Sequence, residues 1–207
     1  MDLQNKYVLS FDVGIKNLAF CLLEIDIKKK NEIILNENKL YEIVNIIDWG
    51  IINNVEDDKK CSKIGLDVLS KSCISNLDKH NFCNKKIDLV LVENQPCLKN
   101  PQMKSIQMII YSYFMIKGVL NENSQINEIK LISASKKLDV YNGPVIECNL
   151  KSKYSKTKKL SILYTKYILE FKKDEQNLGQ FNSNKKKDDL ADCYLQGLYF
   201  IKKNWKV

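Results

Sequence analysis

The chain has 207 residues, a formal net charge of +8 and a pI near 9.0, and 44% of its residues are hydrophobic. This length and composition predict one domain spanning residues 1–207 with a substantial core. No apolar run reaches about 18 residues, which excludes a helical membrane span, and the first residues carry no secretion signal. Seven scattered cysteines without a C-x-x-C pair favour a reduced, intracellular protein over a zinc ribbon. With His80 as the single histidine, catalysis would depend on other side chains.

The charge is divided unevenly along the chain. All 33 basic residues are lysines, and none is arginine. Residues 1–98 hold 13 lysines and 15 acidic residues, whereas residues 99–207 hold 20 lysines and 10 acidic residues. A basic excess confined to the second half indicates a polyanionic partner such as nucleic acid. The alternative is an AT-rich coding composition in which the lysines are solvated surface.

Apolar runs predict the elements of the first half. Three of them, at residues 7–12, 18–25 and 41–49, predict the strands of an antiparallel meander, with a polar turn at 28–38. Residues 57–86 are polar with spaced apolar positions, which predicts a surface helix. The continuous apolar run at 87–92 predicts a buried central strand that ends at Glu93.

In the second half, Pro101 is expected to open a helix whose apolar side chains continue from Met103 to Leu120. Because this helix is apolar on most sides, we expect one side to meet the sheet and the other a second subunit. The rest predicts a strand at 130–133, a loop at 141–147, a helix at 155–171, a polar loop at 172–184 and a last helix at 185–203. This order predicts an α/β domain with a mixed sheet.

Acidic residues stand where chemistry is expected. Asp12 ends the first strand and Glu93 ends the most apolar one, at the sheet edge where α/β proteins bind ligands. Asp188, Asp189 and Asp192 open the last helix, and their i, i+3 and i, i+4 spacings place pairs on one face. Like charges this close repel each other, and a bound cation would offset the repulsion. The structural alternatives are a turn residue before glycine and a solvated helix start.

Carboxylates from two strand ends and one helix suit hard divalent cations such as Mg²⁺. Two such ions about 4 Å apart can activate water and stabilise the leaving oxygen in phosphodiester cleavage, and no histidine is required. Lysines flank these acids and would bind phosphates there, although charge runs are usually solvated faces. They are Lys156, Lys158 and Lys159 in the penultimate helix and Lys185, Lys186 and Lys187 before the last one.

Four segments carry a family resemblance: residues 10–17 (SFDVGIKN), 92–96 (VENQP), 154–162 (YSKTKKLSI) and 187–192 (KDDLAD). Taken in order, they resemble the poxvirus-type Holliday junction resolvases, relatives of bacterial RuvC and fungal mitochondrial resolvases in the RNase H-like superfamily. The resemblance implies a five-stranded mixed sheet of order 3-2-1-4-5 flanked by helices. It also implies a homodimer that nicks four-way DNA junctions symmetrically with two Mg²⁺ or Mn²⁺ ions per active site. The helix from Met103 to Leu120 is our predicted dimer contact.

The resemblance also implies residue roles. Asp12 would bind both metals, and Glu93, Asp189 and Asp192 would complete the ligands, with Asp188 as an alternative to Asp189. The active-site lysine falls in residues 156–159, where Lys158 is favoured and Lys159 is the next choice. Lys156, Lys185, Lys186 and Lys187 are predicted to bind DNA. Poxvirus members tend to carry arginine beside these motifs where this chain has lysine or a neutral residue.

Other functions remain open at this point. A second RNase H-like activity, such as cutting RNA in RNA–DNA hybrids, would use the same carboxylates. A non-catalytic DNA-binding recombination protein would hold them as structural groups. The Asp12-Val13-Gly14 sequence also resembles the phosphate motif of sugar kinases and actin-like ATPases, but that fold needs two such domains. The resemblance suggests a viral protein in the host cytoplasm, with a mitochondrial location as the alternative.

Overall fold

The computed structural model describes residues 5–29, 39–55, 64–98 and 100–204. A five-stranded mixed sheet runs through it in the order β3-β2-β1-β4-β5, as the family resemblance implies. The strands are β1 (Lys6–Asp12), β2 (Asn17–Ile25), β3 (Val44–Asn53), β4 (Leu89–Glu93) and β5 (Ile129–Ile132). β1, β2 and β3 pair antiparallel, and β4 pairs parallel with both β1 and β5.

Helices cover both faces of the sheet. They are α1 (Lys39–Ile43), α2 (Leu66–His80), α3 (Pro101–Phe114), α4 (Lys153–Phe171), α5 (Glu175–Ser183) and α6 (Lys187–Asn204). A π-helical turn, Met115–Val119, continues α3, and 3₁₀ turns lie at Ile27–Lys29, Phe82–Asn84 and Ala134–Val140. None of the helices in the described ranges has the length and apolar content that a membrane span needs.

Strand alternation divides the core into two layers. On β1, Val8 belongs to the cluster that packs with α4, α5 and α6, whereas Leu9 and Phe11 belong to the cluster with α2 and α3. Successive side chains of a strand point to opposite faces, so a strand buried on both faces is apolar throughout. α6 packs very close to the sheet at Gly197, where an added Cβ would stand only 2.7 Å from Leu23 Cδ1. Asp192, which lies on the same helix, is therefore held near the sheet.

Two segments differ in the type of secondary structure from the sequence prediction. The strand expected at residues 41–49 is β3, Val44–Asn53, because α1 occupies the residues before it. The polar loop expected at 172–184 is wrong: it contains α5, which begins where Asp174 Oδ1 accepts the Asn177 N–H at 3.2 Å. Residues 30–38 of the predicted turn and 56–63 around the start of the predicted surface helix lie outside the described residues.

The helix expected to be buried on all sides is buried on one. Ile106, Ile110 and Phe114 face the sheet, and the completely buried Gln107 lies beside them. Three apolar side chains on the outer side are exposed: Met108 by 42%, Ile116 by 64% and Leu120 by 70%. The expectation of one sheet-facing side is confirmed, and the other side is open in the single chain.

His80 ends α2 inside an aromatic cluster. Its ring stacks on Phe82 with centroids 5.3 Å apart and planes at 6°, and its edge meets Phe20 at 5.1 Å. Burial lowers the pKa of His80 below its ordinary value. The Asp48 charge opposes this shift, and the Lys85 charge adds to it.

Because the folded state disfavours protonated His80, the unfolded chain binds its proton first as pH falls through about 6.5. We therefore expect the free energy of unfolding to decline below this pH through His80. The variant His80→Phe keeps an aromatic ring and should lose this part of the pH dependence. Urea unfolding of both proteins at pH 7.5 and 5.0 measures it, and identical pH dependences would contradict the assignment.

Candidate active site at the sheet edge

Two acidic residues meet at the carboxyl ends of adjacent strands. Phe11 of β1 lies beside Val92 of β4 in the parallel register, so Asp12 and Glu93 are the next residues on each strand. Parallel strands end at the same sheet edge, and side chains of matched residues there are neighbours. The fold therefore brings together two of the predicted ligands, which are 81 residues apart in the sequence.

The side chains of Asp12 and Glu93 are within hydrogen-bonding reach of each other. Burial raises the pKa of Asp12 well above its usual range. The hydrogen bond to Glu93 and the negative charges of Glu93 and Asp192 raise it further, while Lys137 acts in the opposite direction. The edge is thus a site where negative charge is concentrated and under-compensated.

Asp192 is brought to this edge by α6. One turn after it, the buried Gln196 donates from Nε2 to the Phe11 carbonyl at 3.0 Å and to Ser10 Oγ at 3.1 Å. These bonds fasten α6 to β1 just before Asp12. Asp192 Oδ2 pairs with Lys137 Nζ at 2.6 Å, and both side chains are largely buried, with 13% and 9% exposed. Asp192 Oδ1 is buried without a hydrogen-bond partner.

Asp188 and Asp189 are neighbours in sequence, but their pKa values shift in opposite directions. Burial disfavours the Asp188 charge, but the ion pair with Lys158 outweighs it and lowers the pKa of Asp188. Burial and the Asp188 and Asp192 charges instead raise the pKa of Asp189. The Lys158 ammonium also lies 5.2 Å from the centre of the Tyr154 ring. Asp188 is therefore committed to Lys158, whereas Asp189 shares the electrostatic environment of Asp192.

The other predicted lysines lie on α4, at the start of α6 or just before it. Lys158 reaches α6 through Asp188 rather than through Asp12 or Glu93. Lys156, Lys159, Lys185 and Lys186 are exposed, and Lys187 is half-buried.

Lys137 is the residue that sequence reasoning missed. It lies in the 3₁₀ turn after β5, where the adjacent Lys136 is exposed and Lys137 is buried. Buried lysines are rare unless paired, and the partner Asp192 is 55 residues further along the chain. Nothing in the local sequence distinguishes the two lysines.

A chain of amide groups supports Glu93 from α3. Gln95 Nε2 donates to Glu93 Oε2 at 2.6 Å, and the Gln95 backbone N–H donates to Gln107 Oε1 at 2.7 Å. Lys104 Nζ donates to the same Gln107 oxygen at 3.0 Å. Gln107 is completely buried on an otherwise apolar helix face, where an amide is stable only if it is hydrogen-bonded. We infer that the amides fix the Glu93 carboxylate.

The variant Gln95→Leu removes the donor to Glu93 while keeping a side chain of similar size. For the DNA cleavage that the sequence resemblance implies, with Glu93 as a metal ligand, we expect a rate about 10- to 100-fold lower, as is usual for partners that orient a metal-binding carboxylate, and an unchanged DNA affinity. Asn94→Ala is the matched control, because the Asn94 side chain is bonded to Lys104 and not to Glu93. Equal cleavage rates for Gln95→Leu and the control would contradict this role.

The cluster has the oxygen donors that a divalent cation needs. Asp12, Glu93 and Asp192 converge from three elements, and Asp192 Oδ1 is an unpartnered buried oxygen. As they stand, the described residues contain no closed set of three or more metal-binding His, Cys, Asp or Glu side chains. The donor chemistry fits a hard cation, and in this structure Asp192 is paired with Lys137.

Comparison with known proteins connects this geometry with one fold. The yeast mitochondrial Holliday junction resolvase Ydc2 superposes with a TM-score of 0.60 over 97% of this chain and 80% of its own, at 19% identity. The fowlpox virus resolvase in complex with Holliday junction DNA gives 0.58 over 95% and 97%, at 20% identity. Thermus thermophilus RuvC with its junction substrate gives 0.50 over 95% and 93%, at 10% identity.

Two viral proteins are similar to this chain in sequence. The uncharacterized protein L451 of Acanthamoeba polyphaga mimivirus is 37% identical over 142 residues, which are 64% of this chain and 34% of that protein. This chain thus matches about a third of the mimivirus protein. The uncharacterized protein 170L of invertebrate iridescent virus 6 is 25% identical over 228 residues, covering 95% of this chain and 91% of that one. No protein-family model matches.

The fold is therefore RNase H-like, the fold of the three Holliday junction resolvases compared above. The fold that the sequence resemblance implies, with its strand order of 3-2-1-4-5, is confirmed.

Proposed function

We propose that this chain is a divalent-metal-dependent endonuclease that resolves four-way DNA junctions by symmetric paired nicks. The observation that carries the proposal is the convergence of Asp12, Glu93 and Asp192 at one sheet edge. Its setting in a fold shared with Holliday junction resolvases supports the choice of substrate. The basic second half of the chain supplies the positive charge that such a polyanion requires.

Asp12, Glu93, Asp189 and Asp192 would hold two Mg²⁺ or Mn²⁺ ions, which when bound would supply an activated water and stabilise the leaving oxygen. Asp189 is preferred to Asp188 because Lys158 already neutralises Asp188. In the protein without metal, Lys137 balances the charge of Asp192.

The lysines have distinct proposed roles. Lys158, with Lys159 beside it, would be the active-site lysine and would hold the first turn of α6 through Asp188. Lys156, Lys185, Lys186 and Lys187 would bind backbone phosphates as point charges. Such binding depends on the shape of the junction more than on its base sequence.

A homodimer is part of the proposal, because symmetric nicking needs two active sites. The exposed apolar side chains of Met108, Ile116 and Leu120 make the outer side of α3 and its π-helical turn the proposed contact. Sedimentation at micromolar concentration should show a dimer that the variant Ile116→Asp disrupts. A monomeric wild-type protein would exclude this part of the proposal.

The proposed setting is viral, because both sequence relatives are viral proteins. We propose the host cytoplasm as its compartment, with the mitochondrion as the alternative. Localisation of the tagged protein in infected cells would distinguish the two.

Substrate comparison tests the proposed function. The purified protein should cut a synthetic four-way junction in Mg²⁺ much faster than a linear duplex of the same sequence or an RNA–DNA hybrid. Equal or faster cleavage of the hybrid would replace junction resolution with the hybrid-cutting activity that the same carboxylates allow.

A further inference from the structure

Tyr154, in the first turn of α4, is the most exposed aromatic side chain in the described part of the chain. Its exposed fraction is 69%, and that of Phe171, at the other end of the same helix, is 41%. The other two tyrosines of α4 are half-buried: Tyr164 stacks on Tyr141 with centroids 3.7 Å apart, and Tyr167 meets Tyr141 edge-on at 5.3 Å. A single exposed ring is ordinary on a protein surface, so the argument depends on where Tyr154 lies.

Two contacts place the Tyr154 ring beside the candidate active site. The Lys158 ammonium lies over the ring, 5.2 Å from its centre, and the same ammonium pairs with Asp188. Asp188 adjoins the proposed metal ligand Asp189 in the first turn of α6. One lysine therefore connects the ring with the proposed metal site, and Tyr154 lies at the end of α4 that meets this turn.

The ring is held in position with one face open. Residues four apart lie on the same side of a helix, which brings Lys158 to Tyr154. Lys158 covers one face of the ring and is itself restrained by Asp188. Because 69% of the side chain is exposed, the opposite face is accessible to a planar group from solvent. A ring that is already positioned loses less conformational entropy when it binds a ligand.

The surroundings of Tyr154 favour a nucleobase as that planar group. The first turn of α4 contains no acidic residue, and Lys151, Lys153 and Lys156 are exposed near Tyr154 in the sequence. An aromatic ring among basic side chains is the combination that binds single-stranded nucleic acid, because the ring stacks on a base while the charges follow the backbone. An apolar protein partner would need a contiguous apolar patch instead.

A four-way junction contains bases that can accept such a contact. A base inside a continuous duplex is stacked on both sides, whereas a base at the branch point can lose one stacking neighbour and so expose a face to an aromatic side chain. We propose that Tyr154 stacks on the open face of a branch-point base in the strand being cut, and thereby makes binding selective for branched over linear DNA. The inference rests on the proposed nuclease function. Because every base has an aromatic face, this contact distinguishes DNA structures rather than sequences.

Variants in an Asp12→Asn parent, which is expected to bind without cutting, test the contact. Tyr154→Leu removes the ring and should weaken junction binding by about fivefold or more, with little change for a linear duplex. Tyr154→Phe keeps the ring and should bind as the parent does. The slope of log affinity against log salt should stay the same in Tyr154→Leu, whereas Lys156→Gln should reduce it by about one. Phe171→Leu, about 25 Å further along α4, is the matched aromatic control and should change nothing.

The fluorescent base 2-aminopurine, which stacking quenches, locates the contact. It is substituted singly for bases around the branch point of the junction. At one position in the cut strand, its fluorescence in the complex should be low with the parent and with Tyr154→Phe, and higher with Tyr154→Leu. An abasic site at that position should weaken binding by the parent and have no further effect in Tyr154→Leu.

The possible failures are distinguishable. Parent affinity and unchanged quenching in Tyr154→Leu would overturn the stacking proposal and leave the nuclease proposal intact. An equal loss of affinity for the junction and the linear duplex would assign Tyr154 to general DNA binding and would also overturn it. An Asp12→Asn parent that binds no DNA would overturn both proposals.

Discussion

Replacing Asp12 with asparagine is expected to abolish DNA cleavage and at the same time to stabilise the protein. Asp12 is the proposed ligand of both metals, and loss of such a carboxylate removes several kcal/mol of transition-state stabilisation, which corresponds to a rate decrease of about 10³-fold or more. Junction binding should persist, because the lysines that attract the backbone are unchanged. Single-turnover cleavage and fluorescence anisotropy with the same labelled junction measure the two properties.

Asp12→Asn is expected to stabilise the folded protein because the surroundings of Asp12 disfavour its charged form. Burial and its two acidic neighbours raise the pKa of Asp12, so above the pKa of the unfolded carboxyl the folded state loses stability by ionising it. Asparagine has the same shape and no charge. Urea unfolding at pH 7 in EDTA should therefore give a higher free energy for Asp12→Asn than for the wild type. A variant that is less stable and still cuts DNA would show that Asp12 has a structural role instead.

The second large effect is expected at Lys137. The variant Lys137→Met leaves the Asp192 carboxylate buried beside Asp12 and Glu93 without its counter-ion. Removal of one partner from a buried pair costs about 3–5 kcal/mol. We expect a loss of about 3 kcal/mol in urea unfolding in EDTA. Mg²⁺ should restore part of it by binding the Asp192 carboxylate that has lost its counter-ion.

Two matched variants isolate this pair. Lys136→Met removes an exposed lysine from the adjacent position and should leave stability nearly unchanged. The double variant Lys137→Met with Asp192→Asn removes both charges and should recover most of the loss. If Lys137→Met and Lys136→Met are equally stable, the Lys137–Asp192 pair contributes nothing and the account of the buried site is wrong.

Much of the fold could be predicted because its signals are local. The apolar runs of β1, β2 and β4 and the i, i+3, i+4 spacing of α4 follow from residues that are neighbours in sequence. α5 could not be predicted in this way, because its nine residues are mostly polar. Its position depends on Phe181 meeting Trp49, a contact across 132 residues. The start of β3 likewise depends on α1, where the Tyr41 hydroxyl donates to the distant Val140 carbonyl at 2.7 Å.

The residues of the candidate site also divide into those that could be predicted from the sequence and those that could not. Asp12 and Glu93 could be identified because a carboxylate at the end of an apolar strand is visible in the sequence. Lys137 and Gln107 could not, because an exposed and a buried lysine or glutamine have the same sequence signal and differ only in their distant partners.

The most direct test of the central claim uses the wild-type protein and a four-way junction labelled on each strand in turn. Incubation with Mg²⁺, with Mn²⁺ or with EDTA, followed by denaturing electrophoresis, maps every nick. The account predicts paired nicks at symmetry-related positions on two opposing strands with a divalent metal, and none in EDTA. Tight junction binding without nicks in either metal would contradict it and would leave a DNA-binding protein whose carboxylates are structural.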